Sequence, residues 1–452
     1  MKGNHNTNMT QGSPSRLLIR FALSMLLGNL FQQAYNMADS MIVGRYLGSS
    51  ALAAVGATNS IGFLFFSICN GIGAGCGVAT SHAYGAGNFR YTQRTIANAA
   101  LIMLFFPLVV AIVAYFCAPL VLNLLGTPED ILADAIAYLQ MTCIGVPLVA
   151  VYNYSSSMLR ALGDSRTPLY FLIFASMLNV VLDLFCVCVL KLGVFGAALA
   201  TVIAQVTAGV GCLLYALKSN PYFRLSREDF RPDREIIGKT VRIGLPMALQ
   251  WSLIAVSATG LQAFINSFGA TAVAAFTAVS RIEQLAHMPY GSVNAALSTY
   301  TGQNYGAGNM KRVRAGLKHG MLLSTVFTVI LMIVCALFSE QMVGLFVKES
   351  DVVAVGAKGL RLTSLFFIWL AVIYMCRAVL NGIGDAMFAL INGGVEVVAR
   401  IGFPILAMRI PGMGMDAMWW ATGVTWLVSA LFCWLRYHTW SRKAELQAAQ
   451  IP

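Results

Sequence analysis

The sequence predicts an all-α polytopic membrane protein in which twelve transmembrane helices form two six-helix lobes, related by a pseudo-twofold axis along the membrane normal. Composition, recurring apolar runs and an internal repeat predict this class. Of the 452 residues, 58% are hydrophobic and only 11% are charged, whereas soluble domains carry about 25% charged residues. Apolar stretches of roughly 20 residues, each long enough to cross a hydrocarbon core of ~30 Å as a helix, recur along the whole chain.

The apolar runs divide into two sets of six. The first set lies near residues 17–44, 51–80, 95–118, 131–157, 167–189 and 194–217, and the second near 240–266, 272–300, 318–338, 353–380, 386–408 and 414–437. The predicted organisation is a cytosolic tail (1–15), an N-lobe (16–217), a cytosolic inter-lobe loop (218–239), a C-lobe (240–438) and a second cytosolic tail (439–452). The first tail lacks the apolar core and cleavage site of a signal peptide. The inter-lobe loop is the most polar segment and the expected hinge.

Basic residues orient the predicted spans. One side holds Lys2, Arg16, Arg20, Arg90, Arg94, Arg160, Arg166, the loop cluster, Lys311, Arg312, Arg314, Lys318, Arg436, Arg442 and Lys443; the other holds only Arg45, Lys191, Lys348, Lys358, Arg361 and Arg409. Because cytosolic loops carry the excess of Lys and Arg, both termini are predicted to be cytosolic, in a multi-pass protein of the cell (inner) membrane. The net charge of +12 then reflects orientation in the lipid bilayer, and nucleic acid is not an expected partner.

The two halves are related in sequence. Residues 47–54 (LGSSALAA) align with 268–275 (FGATAVAA) at an offset of 221, and the same offset places the GAGN at 85–88 on the GAGN at 306–309. Gly163-Asp164 and Ala200-Thr201 match Gly384-Asp385 and Ala421-Thr422 in the same register. Because six spans separate equivalent positions, both halves have the same topology. Parallel repeats of this kind build carriers with a central cavity.

Ionisable side chains within a span are costly unless they face a partner or a wet cavity. The first half places Asp39 in helix 1 and Asp183 in helix 5, with Asn179 one helical turn before Asp183 and Thr201 in helix 6. Carboxylate, amide and hydroxyl oxygens suit alkali and alkaline-earth cations, and two adjacent carboxyl groups can also share a proton. The pattern predicts a Na⁺ or H⁺ site. The alternatives are a helix-end carboxylate reaching water at Asp39, and a hydrogen bond that only joins helices at Asp183.

The second half does not repeat this set. The equivalent positions hold Gly260, Arg400, Pro404 and Thr422. Other charged residues occupy the spans of this half. Arg281 and Glu283 lie in the eighth predicted span, and Glu396 and Arg400 lie in the eleventh. The spacing of Glu396 and Arg400 predicts a pair on one helical face. We expect internal ion pairing, with lining of a substrate cavity by these four residues as the alternative.

Several enzyme classes are excluded. The ten cysteines lie in apolar runs with no paired metal-ligand spacing that also recruits histidine. The GAGN loops do not follow a strand and lack the lysine and hydroxyl of an ATP-binding loop. The chain is therefore not expected to be an enzyme or to need a cofactor.

These features resemble the multidrug and toxic compound extrusion (MATE) family over residues 15–440. The resemblance rests on the duplicated halves, the ADSMIVGRYLG context of Asp39, the paired GAGN loops, LRALGDSRTP after helix 4 and GLP at the start of helix 7. The chain is most similar to the DinF-like and MepA-like groups, in which residues matching Asp39, Asn179, Asp183 and Thr201 form the cation site. Family members often carry a proline in helix 1, where this chain has Ser24 and Gly28.

The resemblance implies a monomeric antiporter in which inward flow of H⁺ or Na⁺ drives export of amphipathic, often cationic, organic compounds by alternating access. One alternative is a flippase of the same superfamily for lipid-linked precursors. Such a carrier would line its cavity with several basic residues for pyrophosphate, and only Arg281, Arg400 and Arg377 are candidates. A receptor or channel lacks support from any extracellular domain or filter-like repeat.

Overall fold

A computed structural model describes residues 7–124 and 126–449, without the side chains of residues 59, 60, 64–66, 444 and 446–449. The described residues form helices joined by short turns, which confirms the all-α class. The α-helices are α1 (Pro14–Tyr46), α2 (Ser49–Gly85), α3 (Phe89–Leu124), α4 (Glu129–Ala161), α5 (Arg166–Leu184), α6 (Gly193–Ser219), α7 (Arg234–Asn266), α8 (Ala270–Gly306), α9 (Met310–Gly344), α10 (Ser350–Ser364), α11 (Phe367–Gly382), α12 (Ala386–Ala407) and α13 (Ala417–Ala449).

Most of these helices are long and apolar enough to cross a membrane. Ten described segments meet this criterion, and α10 with α11, which are bent by 49° at the break between them, add an eleventh. Helix α8 lies where the eighth span is predicted and is 37 residues long. It fails the apolar criterion because polar residues such as Arg281, Glu283 and His287 interrupt it.

The chain forms two compact units, and the boundaries at Ala22/Leu23 and Ala248/Leu249 fall inside helices. Unit 1 contains the described residues up to Met9 and Leu23–Ala248, and unit 2 contains Thr10–Ala22 and the described chain from Leu249 onward. The first turns of α1 therefore belong to unit 2, and the N-terminal half of α7 belongs to unit 1. The functional lobes 16–217 and 240–438 stay a prediction.

Unit 1 packs around α4, which contacts α2, α3 and α6. Helix α2 also meets α7 at glycines: a Cβ on Gly71 would lie 2.4 Å from the Ala248 Cα, and a Cβ on Gly75 would lie 2.5 Å from the Gly244 Cα. Small residues at such positions let helix backbones approach closely. Close approach matters because the hydrophobic effect does not drive helices together in lipid, so van der Waals packing between them has to do so.

The polar segment between the halves is folded onto α3. We call residues 220–233 the linker strap. Gln93 Nε2 donates to the Arg224 carbonyl at 2.8 Å, and Asn98 Oδ1 accepts from the Asp233 backbone N–H at 2.9 Å. Arg94 also pairs with Asp233 at 2.9 Å. The expected hinge is therefore tied to unit 1 along its length, and the unit boundary lies beyond it within α7.

Unit 2 is built on α8, which contacts α9, α10 and α11, while α13 packs on α11 and α12. Its core is rich in aromatic side chains, and Trp419 lies directly on the backbone of Gly359, where a Cβ would be 2.2 Å from the indole ring. Close packing of this kind fixes α10 against α13 inside the unit.

Candidate functional site

Three of the predicted cation-site residues lie on α5 and α6. Asp183 sits at the end of α5 and is fully buried, and Asn179, one turn earlier, is 2% exposed. Asn179 Nδ2 donates to Thr201 Oγ1 at 3.2 Å, which joins α5 to α6. A π-helical turn, Phe185–Val189, begins two residues after Asp183. Single π turns of this type are frequent at functional sites.

Asp39 completes the group from α1. Its carboxyl group interacts with that of Asp183, so two acidic side chains from different helices meet inside unit 1. The structure therefore brings all four predicted residues together. Asp39, unlike Asp183, is partly exposed, which gives the pair one edge open to its surroundings.

Several oxygens of this group have no hydrogen-bond donor within the described chain. They are Asp39 Oδ1, Asn179 Oδ1 and both carboxylate oxygens of Asp183. An ionised carboxylate in an apolar setting costs many kcal/mol unless it is paired. The geometry thus presents unmatched hard oxygen acceptors, whose chemistry suits a proton or an alkali cation. No group of three or more His, Cys, Asp or Glu side chains suited to a metal occurs in the part of the chain that the structure describes.

Unit 2 holds a separate buried polar network centred on Arg377 of α11. Its guanidinium pairs with Glu396 of α12, and the two side chains are 14% and 6% exposed. Ser429 Oγ of α13 donates to Glu396 Oε1 at 3.1 Å. With their amide oxygens turned toward the guanidinium, Gln250 accepts from Arg377 Nε at 2.9 Å and Asn392 accepts from Arg377 Nη2 at 2.7 Å. Four helices therefore converge on one ion pair.

The predicted pairing of Glu396 with Arg400 is wrong. The partner of Glu396 is Arg377, which reaches it from a neighbouring helix. Arg400 instead interacts electrostatically with Glu283 of α8, and its Nε is buried with no acceptor in the described chain. Arg281 is exposed and takes no part in this network. The spacing of residues along one helix could not show that the Glu396 carboxylate pairs with an arginine of a neighbouring helix.

Comparisons with known proteins decide the family. The MatE family model matches residues 24–185 and 246–406, one segment in each half. The chain belongs to the MatE family. It is 30% identical over 441 residues to the probable multidrug resistance protein YpnP of Bacillus subtilis, covering 96% of this chain and 97% of that protein. It is 26% identical over 411 residues to the probable multidrug resistance protein NorM of Thermotoga maritima, covering 89% and 87%.

The MatE fold is equally clear in three dimensions. A crystal structure of MATE in the bent conformation matches with a TM-score of 0.93 at 23% identity, and the match covers 100% of both chains. This likeness shows the fold, while the family model and the relative at 30% identity confirm the predicted family: the chain is a multi-pass membrane transporter of the MATE multidrug efflux family. Asp39, Asn179 and Asp183 of the predicted cation site lie within the first matched segment, and Thr201 lies beyond its end.

Several polar neighbours of the Asp39 and Asp183 carboxyl groups were not predicted from the sequence. Tyr35, one turn before Asp39, accepts at its hydroxyl from Gln205 Nε2 at 3.3 Å, and Gln205 lies one turn after Thr201. Tyr35 and Tyr138 of α4 both interact electrostatically with the two carboxyl groups. Helical spacing from Asp39 and Thr201 could have found Tyr35 and Gln205. Tyr138 reaches the site from another helix and leaves no signal in the sequence.

Proposed function

We propose that the chain is a cation-coupled antiporter that exports amphipathic, often cationic, organic compounds by alternating access, with H⁺ or Na⁺ as the coupling ion. The observation that carries the proposal is the meeting of Asp39 and Asp183 within unit 1, beside Asn179 and Thr201, with acceptor oxygens unmatched by any donor in the described chain. A site of this kind changes its charge when a small cation binds or leaves.

Either coupling ion is chemically consistent with these four residues. A proton would be shared between the carboxyl groups of Asp39 and Asp183, which removes one negative charge and their mutual repulsion. A sodium ion would instead be ligated by both carboxylates, the Asn179 amide oxygen and the Thr201 hydroxyl. Both ions relieve the same electrostatic cost, so both would favour the conformation that keeps the four residues together.

Coupling requires that cation and substrate favour different conformations of the carrier. A ligand shifts a conformational equilibrium only by its differential affinity for the two states. Cation binding at Asp39 and Asp183 would therefore release substrate outward, and cation loss would restore affinity for substrate on the cytosolic side. The multidrug resistance names of the relatives support small lipophilic compounds as the substrate class.

The flippase alternative would need free basic groups in the substrate cavity. Arg377 is paired with Glu396, Arg400 interacts with Glu283, and Arg281 is exposed. Arg377 and Arg400, which are both partly buried, thus have acidic neighbours, so unit 2 offers little uncompensated positive charge for a pyrophosphate. This balance favours drug export over transport of lipid-linked precursors.

The test is dye efflux from proteoliposomes under separately imposed pH and Na⁺ gradients. We expect one gradient to drive efflux by the wild type, and Asp39→Asn and Asp183→Asn each to abolish it while membrane insertion is retained. Asp416→Asn is the matched control, because Asp416 lies outside the site and pairs with Lys358 at 2.6 Å. Gradient-driven efflux by Asp183→Asn at the wild-type rate would remove the assigned site.

A further inference from the structure

A groove opens between α12 and α13 in unit 2, and none of its lining residues belongs to the Arg377 network. It has a volume of about 440 Å³, within the range of about 300–1,000 Å³ typical of small-ligand pockets. Phe388 and Phe432 line it as a stacked pair with ring centroids 4.9 Å apart. Ile391 and Leu435, both more than half exposed, form its walls. These four side chains give the groove an apolar surface.

One end of the groove is cationic. Arg436 lines it, with its Nε donating to Asp385 at 2.8 Å and its guanidinium 5.9 Å from the Phe388 ring centroid. Only Nε takes part in that contact, and the side chain is 44% exposed. Lys443 is also exposed and lies two turns further along α13 on the same helical face, beyond the lining residue Thr439. The rim therefore has an excess of positive charge.

The groove is not a by-product of the duplicated fold. At the offset of 221, Phe432 and Arg436 correspond to Gly211 and Tyr215. Phe171 packs on the Gly211 backbone, where a Cβ would lie 2.7 Å from its ring, and the Phe171 and Tyr215 centroids are 6.3 Å apart. The equivalent place in unit 1 is thus filled by a ring and lacks the cation.

We infer that this groove binds one anionic phospholipid of the leaflet that faces the C-terminal end of α13, with an acyl chain between the phenylalanine pair and the walls and the phosphate at Arg436 and Lys443. The bilayer is the surrounding solvent of this family, so a groove open to it holds a lipid chain by default. The basic rim selects the headgroup, because anionic lipids are attracted by Lys and Arg at the membrane surface. This leaflet is the one predicted to be cytosolic. The site is independent of the proposed antiport.

The experiment measures lipid binding to the purified, delipidated full-length transporter by native mass spectrometry and by thermal unfolding in detergent. The probes are phosphatidylglycerol, phosphatidylcholine with the same chains, and glycerol 3-phosphate without chains. We expect phosphatidylglycerol to bind and raise the unfolding midpoint, phosphatidylcholine to bind more weakly, and glycerol 3-phosphate to leave the midpoint unchanged. Arg436→Gln and Lys443→Gln should each weaken phosphatidylglycerol binding about fivefold.

Two further variants separate a defined site from general surface attraction. Ile391→Trp should fill the groove and abolish the selective binding, while Arg442→Gln, which removes the same charge from another face of α13, should leave it unchanged. Lys443→Gln provides the charge test should Arg436→Gln fail to fold without a partner for Asp385. Equal losses in Arg442→Gln and Lys443→Gln, equal binding of the two lipids, binding of glycerol 3-phosphate, or full binding by Ile391→Trp would each overturn the inference.

Discussion

Removing one member of the Arg377–Glu396 ion pair should strongly destabilise unit 2. Both side chains are largely buried, at 14% and 6% exposure, and Glu396 receives a further hydrogen bond from Ser429. Removing one member leaves the other as a buried charge. We expect Glu396→Gln and Arg377→Met each to cost about 3–5 kcal/mol, the typical penalty for breaking a buried pair.

The double variant Arg377→Met/Glu396→Gln should cost much less than the sum of the two, because neither charge is then left unpaired. An interaction energy of about 3 kcal/mol or more in this double-mutant cycle is expected. Equilibrium unfolding of the purified protein in mixed detergent micelles measures all four free energies. Single variants that lose less than about 1 kcal/mol, or losses that simply add, would refute the buried-pair reasoning, because exposed pairs contribute about that much.

Three smaller perturbations test other contacts. Gly75→Ala places a methyl group against the α7 backbone and should lower the unfolding free energy by about 1–3 kcal/mol. Gly56→Ala, with open space around its Cβ, should not lower it. Equal losses in the two variants would argue against the close contact of α2 with α7. Asn98→Ala should speed trypsin cleavage of the linker strap severalfold, whereas Asn123→Ala, which loses only a bond within its own helix, should not. Gln205→Leu removes one hydrogen bond at the edge of the cation site and should slow dye efflux about 2–10-fold; an unchanged rate would exclude Gln205 from the site.

The positions of most helices were predictable because the residues of each span determine where it begins and ends. The apolar run at 194–217 became α6 at Gly193–Ser219, since span length and polar flanks fix such a helix without reference to its neighbours. The run at 353–380 was predicted as one helix, but it is broken near Leu365 and bent by 49°. No proline or glycine marks that position, so the bend arises from packing rather than from a local signal.

The candidate site was predictable to the extent that it lies along single helices. The spacing of Asn179 and Asp183 places them on one face of α5. Because the second half lacks their counterparts, the sequence also predicted that the cation site lies in the first half alone. Partners between helices were not predictable: Tyr138 reaches the carboxyl groups from α4, and Arg377 reaches Glu396 from α11. Such contacts depend on helix rotation and tilt, which the apolar pattern does not determine.

Equilibrium binding of a fluorescent cationic dye to the purified protein tests the central claim most directly. The dissociation constant is measured against Na⁺ concentration at fixed pH, and against pH at fixed Na⁺, for the wild type and Asp183→Asn. If the carboxyl pair binds the coupling ion, raising one of the two ions weakens dye binding by the wild type, and this dependence is absent in Asp183→Asn. The same dependence in both proteins would contradict the assignment.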